Sequence, residues 1–304
     1  MGESEWSQTH IFLVALASRL ENEGQYNIAK LTRAAADSLS RRAAYQLDMP
    51  GGKAELAAQI EQAASALSAL GVTAEISSTL RQGASALSEN RLPLIYETPH
   101  PYVCRTCGHL ALGELAEKCP VCGAWSATFQ WFPPVYWLEA FDPPAALARL
   151  RQTPLEVAGL LSGLSEEQLS QTPEDGGWAL RNIVSHLRDA QGVLSFRLDL
   201  FLNEEDPALE SKAVFEWATR EEARAPSTLE IFDSYKALRA ETLAKLEVMP
   251  CDMWWRTGRH EEFGRISLRQ QVSYFAAHEL THFPQIEKLR DHFTDDMVQT
   301  EESR

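Results

Sequence analysis

The sequence predicts a mainly α-helical protein in which two helical regions flank a small four-cysteine metal module. Three observations carry that prediction. Apolar residues recur at helical spacing through residues 7–90 and again through 143–297. Between these regions stand two CxxC pairs, Cys104/Cys107 and Cys119/Cys122. Near the end, His278 and His282 fall four residues apart within a helical pattern, so both project from one face and can share a divalent ion.

Composition bounds the rest. A chain of 304 residues has room for two or three domains and a sizeable core. The net charge of −15 argues against nucleic acid and anionic membranes as partners. Most of the acidity lies beyond residue 142, where 28 acidic groups face 18 basic ones. No apolar run approaches the roughly 18 residues of a spanning helix. The acidic start Met1-Gly2-Glu3-Ser4-Glu5 has no signal-peptide pattern, and five cysteines, four of them in CxxC pairs, suit metal ligation in a reducing compartment. A cytoplasmic protein with a small-molecule substrate is expected.

Residues 1–98 read as three or four helices broken at Glu23-Gly24, Met49-Pro50-Gly51-Gly52 and Gly71. Their stripes include Ile11-Phe12-Val14-Ala15 and Ile28-Leu31-Ala35-Leu39. The stretch from Glu21 to Leu31, ENEGQYNIAKL, resembles the first helical turn-around of a rubrerythrin. That resemblance implies a ferritin-like bundle, whose diiron site takes Glu-x-x-His from two helices. Leu39 and Arg42 stand where the first such motif would fall, and none occurs in residues 1–95. The region is therefore expected to be a degenerate ferritin-like bundle kept for packing or homodimerisation; an unrelated alanine-rich pair of hairpins is the alternative.

In residues 99–131 each CxxC pair ends in glycine, as Cys104-Arg105-Thr106-Cys107-Gly108 and Cys119-Pro120-Val121-Cys122-Gly123. Such knuckles wrap backbone amides around thiolates and present a tetrahedral four-sulfur site for zinc or iron. The segment resembles the rubredoxin-like module of rubrerythrins, with Tyr102, Trp125 and Phe129 as its aromatic packing. With no diiron partner upstream, structural zinc is the first reading and redox iron the second. His109 is expected to be a loop residue rather than a ligand. Residues 132–144, carrying Phe132-Pro133-Pro134, Tyr136, Trp137 and Phe141-Asp142-Pro143-Pro144, read as an aromatic linker packed at the domain junction, with substrate lining as a lesser alternative.

Residues 145–297 show four long helical patterns, followed by a tail over 298–304. The first is expected to break near Pro154. The second starts around Trp178 and runs to Asn203. Capping boxes Ser227-x-x-Glu230 and Ser267-x-x-Gln270 open the third and fourth, and Ser165-x-x-Gln168 opens a short connecting helix. The fourth carries the histidine pair on a stripe with Val272, Phe275, Ile286, Leu289 and Phe293. Trp178, then His186 with Asp189 three residues on, then His278-x-x-x-His282-x-x-Gln285 resembles the DinB-like (YfiT-like) four-helix-bundle family. The resemblance implies that His186, His278 and His282 bind a divalent metal (Zn, Ni, Fe or Mn), with Asp189 and Gln285 as supporting or pocket groups. It also implies a metal-dependent transferase or isomerase that activates a low-molecular-weight thiol, such as bacillithiol or mycothiol, or a water.

Two alternatives stay open. His278-Glu279-x-x-His282 also matches the zincin protease motif, in which the glutamate is the general base. Here Glu279 is turned about 100° from His278 and could border the pocket or face solvent. A non-catalytic metal-binding or assembly protein, or a rubrerythrin-like electron carrier, would use the same ligands. His10, His100, His260 and His292 have no comparable partners. Cys251 is expected to be a small buried residue, and Arg256, Arg259 and Arg265 to be solvated or to rim an anion site.

Overall fold

The computed structural model describes residues 3–47, 52–174, 176–210 and 226–302; the expected break at Met49-Pro50-Gly51, the loop residue Trp217 and the last two residues lie outside these. The chain divides into two compact units, Met1–Phe132 and Pro133–Arg304.

The first unit begins with two antiparallel helical hairpins. Helices α1 (Glu3–Asn22) and α2 (Tyr26–Tyr45) pack on one another, as do α3 (Lys53–Ala69) and α4 (Ala74–Ser88). Gly24 and Gly71 turn the chain at positive φ, 73° and 72°, a conformation that costs glycine nothing. Alanines fill the seams: Ala17, Ala29 and Ala36 in the first hairpin, and Ala57, Ala64, Ala84 and Ala86 in the second. Strands β1 (Pro101–Cys104), β2 (Leu110–Leu112) and β3 (Phe129–Trp131) then form an antiparallel sheet in the order β2-β1-β3.

The second unit is a helical bundle. Helix α5 (Pro143–Leu161) is capped by Asp142, whose side chain accepts from Ala145 N. It runs unbroken through Pro154, contrary to the expected interruption. Proline has no N–H to give Leu150 O four residues back, and the guanidinium of Arg239 donates to that carbonyl instead, at 2.8 Å. The short α6 (Glu166–Ser170) and the long α7 (Leu180–Asn203), α8 (Thr228–Glu247) and α9 (Leu268–Leu280) follow, with α10 (Phe283–Glu302) last. All three predicted capping boxes form: Ser165 with Gln168, Ser227 with Glu230 and Ser267 with Gln270. Strands β4 (Ala208–Leu209), β5 (Thr257–His260) and β6 (Gly264–Ser267) make a small sheet in sequence order.

Three boundaries differ from the sequence expectation. Trp178 precedes α7 rather than opening it, because Ala179 N is capped by Asn182 Oδ1 at 3.0 Å. The fourth helical pattern is two helices. Pro284 cannot donate to Leu280 O, and the chain tightens between the histidines into three-residue bonds, Thr281 N to His278 O and His282 N to Glu279 O. The predicted tail over 298–304 continues α10 as far as Glu302.

Candidate metal centre

Three imidazoles from two regions of sequence meet inside the second unit. His186 comes from the second turn of α7, His278 from the end of α9, and His282 from the turn into α10. The Nε2 atoms of His186 and His278 are 3.3 Å apart, as are those of His278 and His282. All three ligand atoms lie within 4.8 Å of one another. A tetrahedral ion with nitrogens about 2.05 Å away would set neighbouring nitrogens about 3.3 Å apart, so the three side chains fit a divalent metal. Burial holds His186 down to about 4, and the adjacent His282 adds to the effect. Burial, then His282 and His186, lower His278 to about 3. Both rings are therefore neutral near pH 7, the form that ligates.

Surrounding groups fix these rings. Gln285 Oε1 lies 3.0 Å from His282 Nδ1, which leaves Nε2 as the free nitrogen of that ring. Trp178 sits 5.2 Å from His186 and stacks on His282 at 6.5 Å, yet is 52% exposed, so it covers the cluster on the solvent side. Trp137 and Tyr274 flank His278 at 5.5 and 5.9 Å, Tyr274 stacked nearly parallel. Ser273 sets Trp137: its hydroxyl donates to Trp137 O and accepts from Phe141 N. The aromatic segment read as linker thus contributes a wall of the histidine cluster, with Trp137 in the minority role of lining.

The other pocket candidates part ways. Gln285 is at the centre. Asp189 pairs with Arg188, its neighbour on α7, at 2.9 Å. Glu279, expected at the pocket border or in solvent, is 1% exposed and faces the core. There it ion-pairs with Arg239 and accepts from Tyr235 Oη at 3.2 Å. Arg239 also donates from Nε to Gln191 Oε1 at 2.6 Å, and Gln191 donates to Thr242 Oγ1 at 2.7 Å. Burial works to lower Arg239, but Glu279 beside it raises it overall, and burial raises Tyr235 well above its usual range. Glu279 has no free carboxylate to offer as a general base, which removes the protease alternative. Arg239, Tyr235 and Gln191 escaped the sequence reading, although Ile231, Tyr235, Arg239, Thr242 and Leu246 form a helical stripe that could have exposed them.

Elsewhere, Arg259 and Arg265 both pair with Asp206 at 3.0 Å, and Arg256 donates to the carbonyls of Leu202 and Glu204. They brace a loop rather than rim an anion site. His260 is buried against Phe263, and its Nδ1 accepts from the amides of Glu262 and Phe263. Cys251 is exposed, not buried, because it opens a short 3-10 turn at the bundle surface.

In the first unit the four cysteines also converge. Cys104 and Cys122 Sγ are 3.7 Å apart, as are Cys107 and Cys119. Tetrahedral zinc with sulfurs at about 2.3 Å would set them about 3.75 Å apart, so this donor set fits a metal too. Gly108 and Gly123 take φ of 78° and 75° and donate to Cys104 O and Cys119 O, closing each knuckle. Burial pushes the Cys104 thiol up, but backbone donors at Cys107 and Thr106 and neighbouring thiols outweigh it, leaving Cys104 at about 6. His109 packs edge-on to Phe129 and adds no ligand. Glu21, in the rubrerythrin-like stretch, accepts from Arg33 and from Arg105 of the cysteine knuckle.

Comparison with known proteins bears on both units. Residues 149–286 match the DinB superfamily, and residues 102–130 match the rubredoxin-like domain of rubrerythrin. A protein of Oceanobacillus iheyensis, provisionally named a metal-dependent hydrolase, is 31% identical over 41% of this chain and 73% of its own. One from Geobacillus kaustophilus with the same provisional name is 31% identical over 50% of this chain and 86% of its own. Among solved structures, YfiT from Bacillus subtilis, described as having an unusual four-helix bundle topology, aligns with a TM-score of 0.44 and 19% identity, covering 59% of this chain and 95% of that one. No helix among the described residues is long and apolar enough to cross a membrane.

Proposed function

The chain belongs to the DinB superfamily, and from that premise we propose that its second unit is a metal-dependent enzyme acting on a small molecule, with hydrolysis as the reaction. The observation that carries this reading is the convergence of three imidazole nitrogens, two pairs of them 3.3 Å apart, in a partly covered site. His186, His278 and His282 would hold the ion. When bound, an ion held by three neutral ligands keeps its full charge and supplies Lewis acidity enough to ionise a water near neutral pH.

The protein's own residues supply the rest. Gln285 orients His282, and burial keeps His186 and His278 unprotonated and available. Trp137 and Tyr274 wall the cluster at His278, while the half-exposed Trp178, over His186 and His282, covers the solvent side from which a small molecule would approach. Glu279 holds the bundle together through Arg239. The same ion could ionise a thiol for transfer to an electrophile, the reaction the family resemblance implies; the provisional names of the relatives favour water. The four-cysteine module serves as a metal-stapled structural unit.

The test is a substrate panel run on metal-depleted and metal-reloaded protein. One arm holds esters and amides, the other a low-molecular-weight thiol with an electrophile. Metal-restored turnover in the first arm, lost in His278→Ala, is the expected result. Turnover confined to the thiol arm would replace hydrolysis by transfer. Turnover that ignores both metal and His278 would end the proposal.

A further inference from the structure

Among the described residues of the second unit three arginines are buried; Arg188 pairs with Asp189 and Arg239 with Glu279, whereas Arg197 has no counter-ion. Arg239 is 2% exposed and Arg197 is 3% exposed. Arg239 meets Glu279, Gln191 Oε1 and Leu150 O, so each of its nitrogens has an acceptor. Arg197 reaches only Gln271 Oε1 at 3.5 Å and Glu210 O at 3.3 Å, and its Nε has no partner. Those distances exceed the usual 2.7–3.2 Å range of an N–H···O bond. Among the described residues no carboxylate lies within ion-pair distance of it. Glu261 and Glu262 act on it only from farther away, together with Tyr274. His260, the nearby imidazole, is already accepting from two amides and cannot serve. A guanidinium stays charged and carries five donors, so a buried one that lacks an anion is costly.

Its position gives the missing anion a source. Arg197 follows His186 by eleven residues on α7, about three turns, so the two share a face about 16 Å apart along the axis. On α9 the residues Gln271, Tyr274 and His278 recur at helical spacing. Gln271 meets Arg197, His278 meets His186, and Tyr274 stacks on His278 between them. One stripe therefore has neutral metal ligands at one end and an unsatisfied cation at the other.

We propose that Arg197 is an anion subsite of the three-histidine centre, taking a carboxylate or another oxyanion of the substrate through its Nε–Nη fork. The planar fork matches two oxygens of one group, which a lysine cannot do. This inference rests on the proposed enzymatic role of the histidines and narrows the substrate to an acidic small molecule that reaches from one end of the stripe to the other.

The experiment titrates malonate, and separately inorganic phosphate, into the full chain by calorimetry. It uses the wild type, Arg197→Gln, Arg197→Lys and His278→Ala. The last cannot hold the ion by the proposed ligands, so anion binding to it reports on Arg197 and not on metal. Saturable binding in the wild type and in His278→Ala, weakened at least about tenfold in Arg197→Gln, is expected; a preference for one anion identifies the group recognised. Arg197→Lys, which keeps the charge without the fork, should fall between, and it decides the matter if Arg197→Gln does not fold. Equal affinity in wild type and arginine variants, or no saturable binding in the wild type, would overturn the subsite. The enzymatic reading would still stand, since the substrate panel tests it separately.

Discussion

Removing one partner of the Arg239–Glu279 pair should unfold the second unit far more readily than removing both. Each side chain is buried to within 2% of completely. Arg239→Met would leave the Glu279 carboxylate in the core with only Tyr235 Oη at 3.2 Å, and would free Leu150 O opposite Pro154 and Gln191 Oε1. Breaking a buried pair from one side costs about 3–5 kcal/mol. That is a large part of the roughly 5–15 kcal/mol by which a domain is stable. Glu279→Leu should cost about as much by stranding the guanidinium. The double variant leaves no uncompensated charge, so its loss should fall below the sum of the two singles by about 2 kcal/mol or more. Urea denaturation followed by near-ultraviolet circular dichroism, on proteins of equal metal content, gives the three values. Additive losses would show that the two groups do not act as a pair. Loss of metal in Glu279→Leu while the fold persists would return Glu279 to the centre and reopen its role as a base.

Three further outcomes follow from the same geometry. In metal-free protein, lowering the pH from 7.5 to 5 should reduce the urea midpoint of the second unit. His186 and His278 stay unprotonated down to about 4 and about 3, whereas the unfolded chain binds protons from about 6.5 downward. A midpoint that rises on acidification would contradict this. Gln285→Leu should weaken metal affinity about 10–100-fold without altering the fold, by releasing His282 Nδ1; competition with a chromophoric chelator measures it. Cys104→Ser should expel the metal of the first unit and loosen that unit alone, because a structural four-sulfur site contributes folding energy directly. Hydrogen exchange that stays slow in residues 101–131 after the change would argue otherwise.

Where local chemistry decides the outcome, the sequence was sufficient. The two knuckles need only cysteine spacing and a glycine able to take positive φ, and both appear as read. Serine followed by glutamine or glutamate three residues on marks a helix start whatever the tertiary setting, and Ser165, Ser227 and Ser267 all cap as expected. The histidines were visible because spacing of four on an apolar stripe places two of them together and a family resemblance supplies the third. What went unseen depends on partners distant in sequence. Pro154 looked like a helix end because its compensation, Arg239, lies 85 residues on. Glu279 looked like a pocket residue because the motif around it carries no sign of the arginine across the bundle. Trp137 looked like linker, since only the folded chain shows Ser273 holding its carbonyl beside His278. Pairwise periodicity reports which face a residue takes, not what waits there.

Metal counted per chain, in wild type and in His282→Ala, bears most directly on the claim that three imidazoles hold one ion. Elemental analysis should find two metal equivalents in the wild type. In His282→Ala it should find one, retained by Cys104, Cys107, Cys119 and Cys122. An unchanged count in that variant, with the four-cysteine site accounting for no more than one equivalent, would contradict the three-histidine centre and the chemistry built on it.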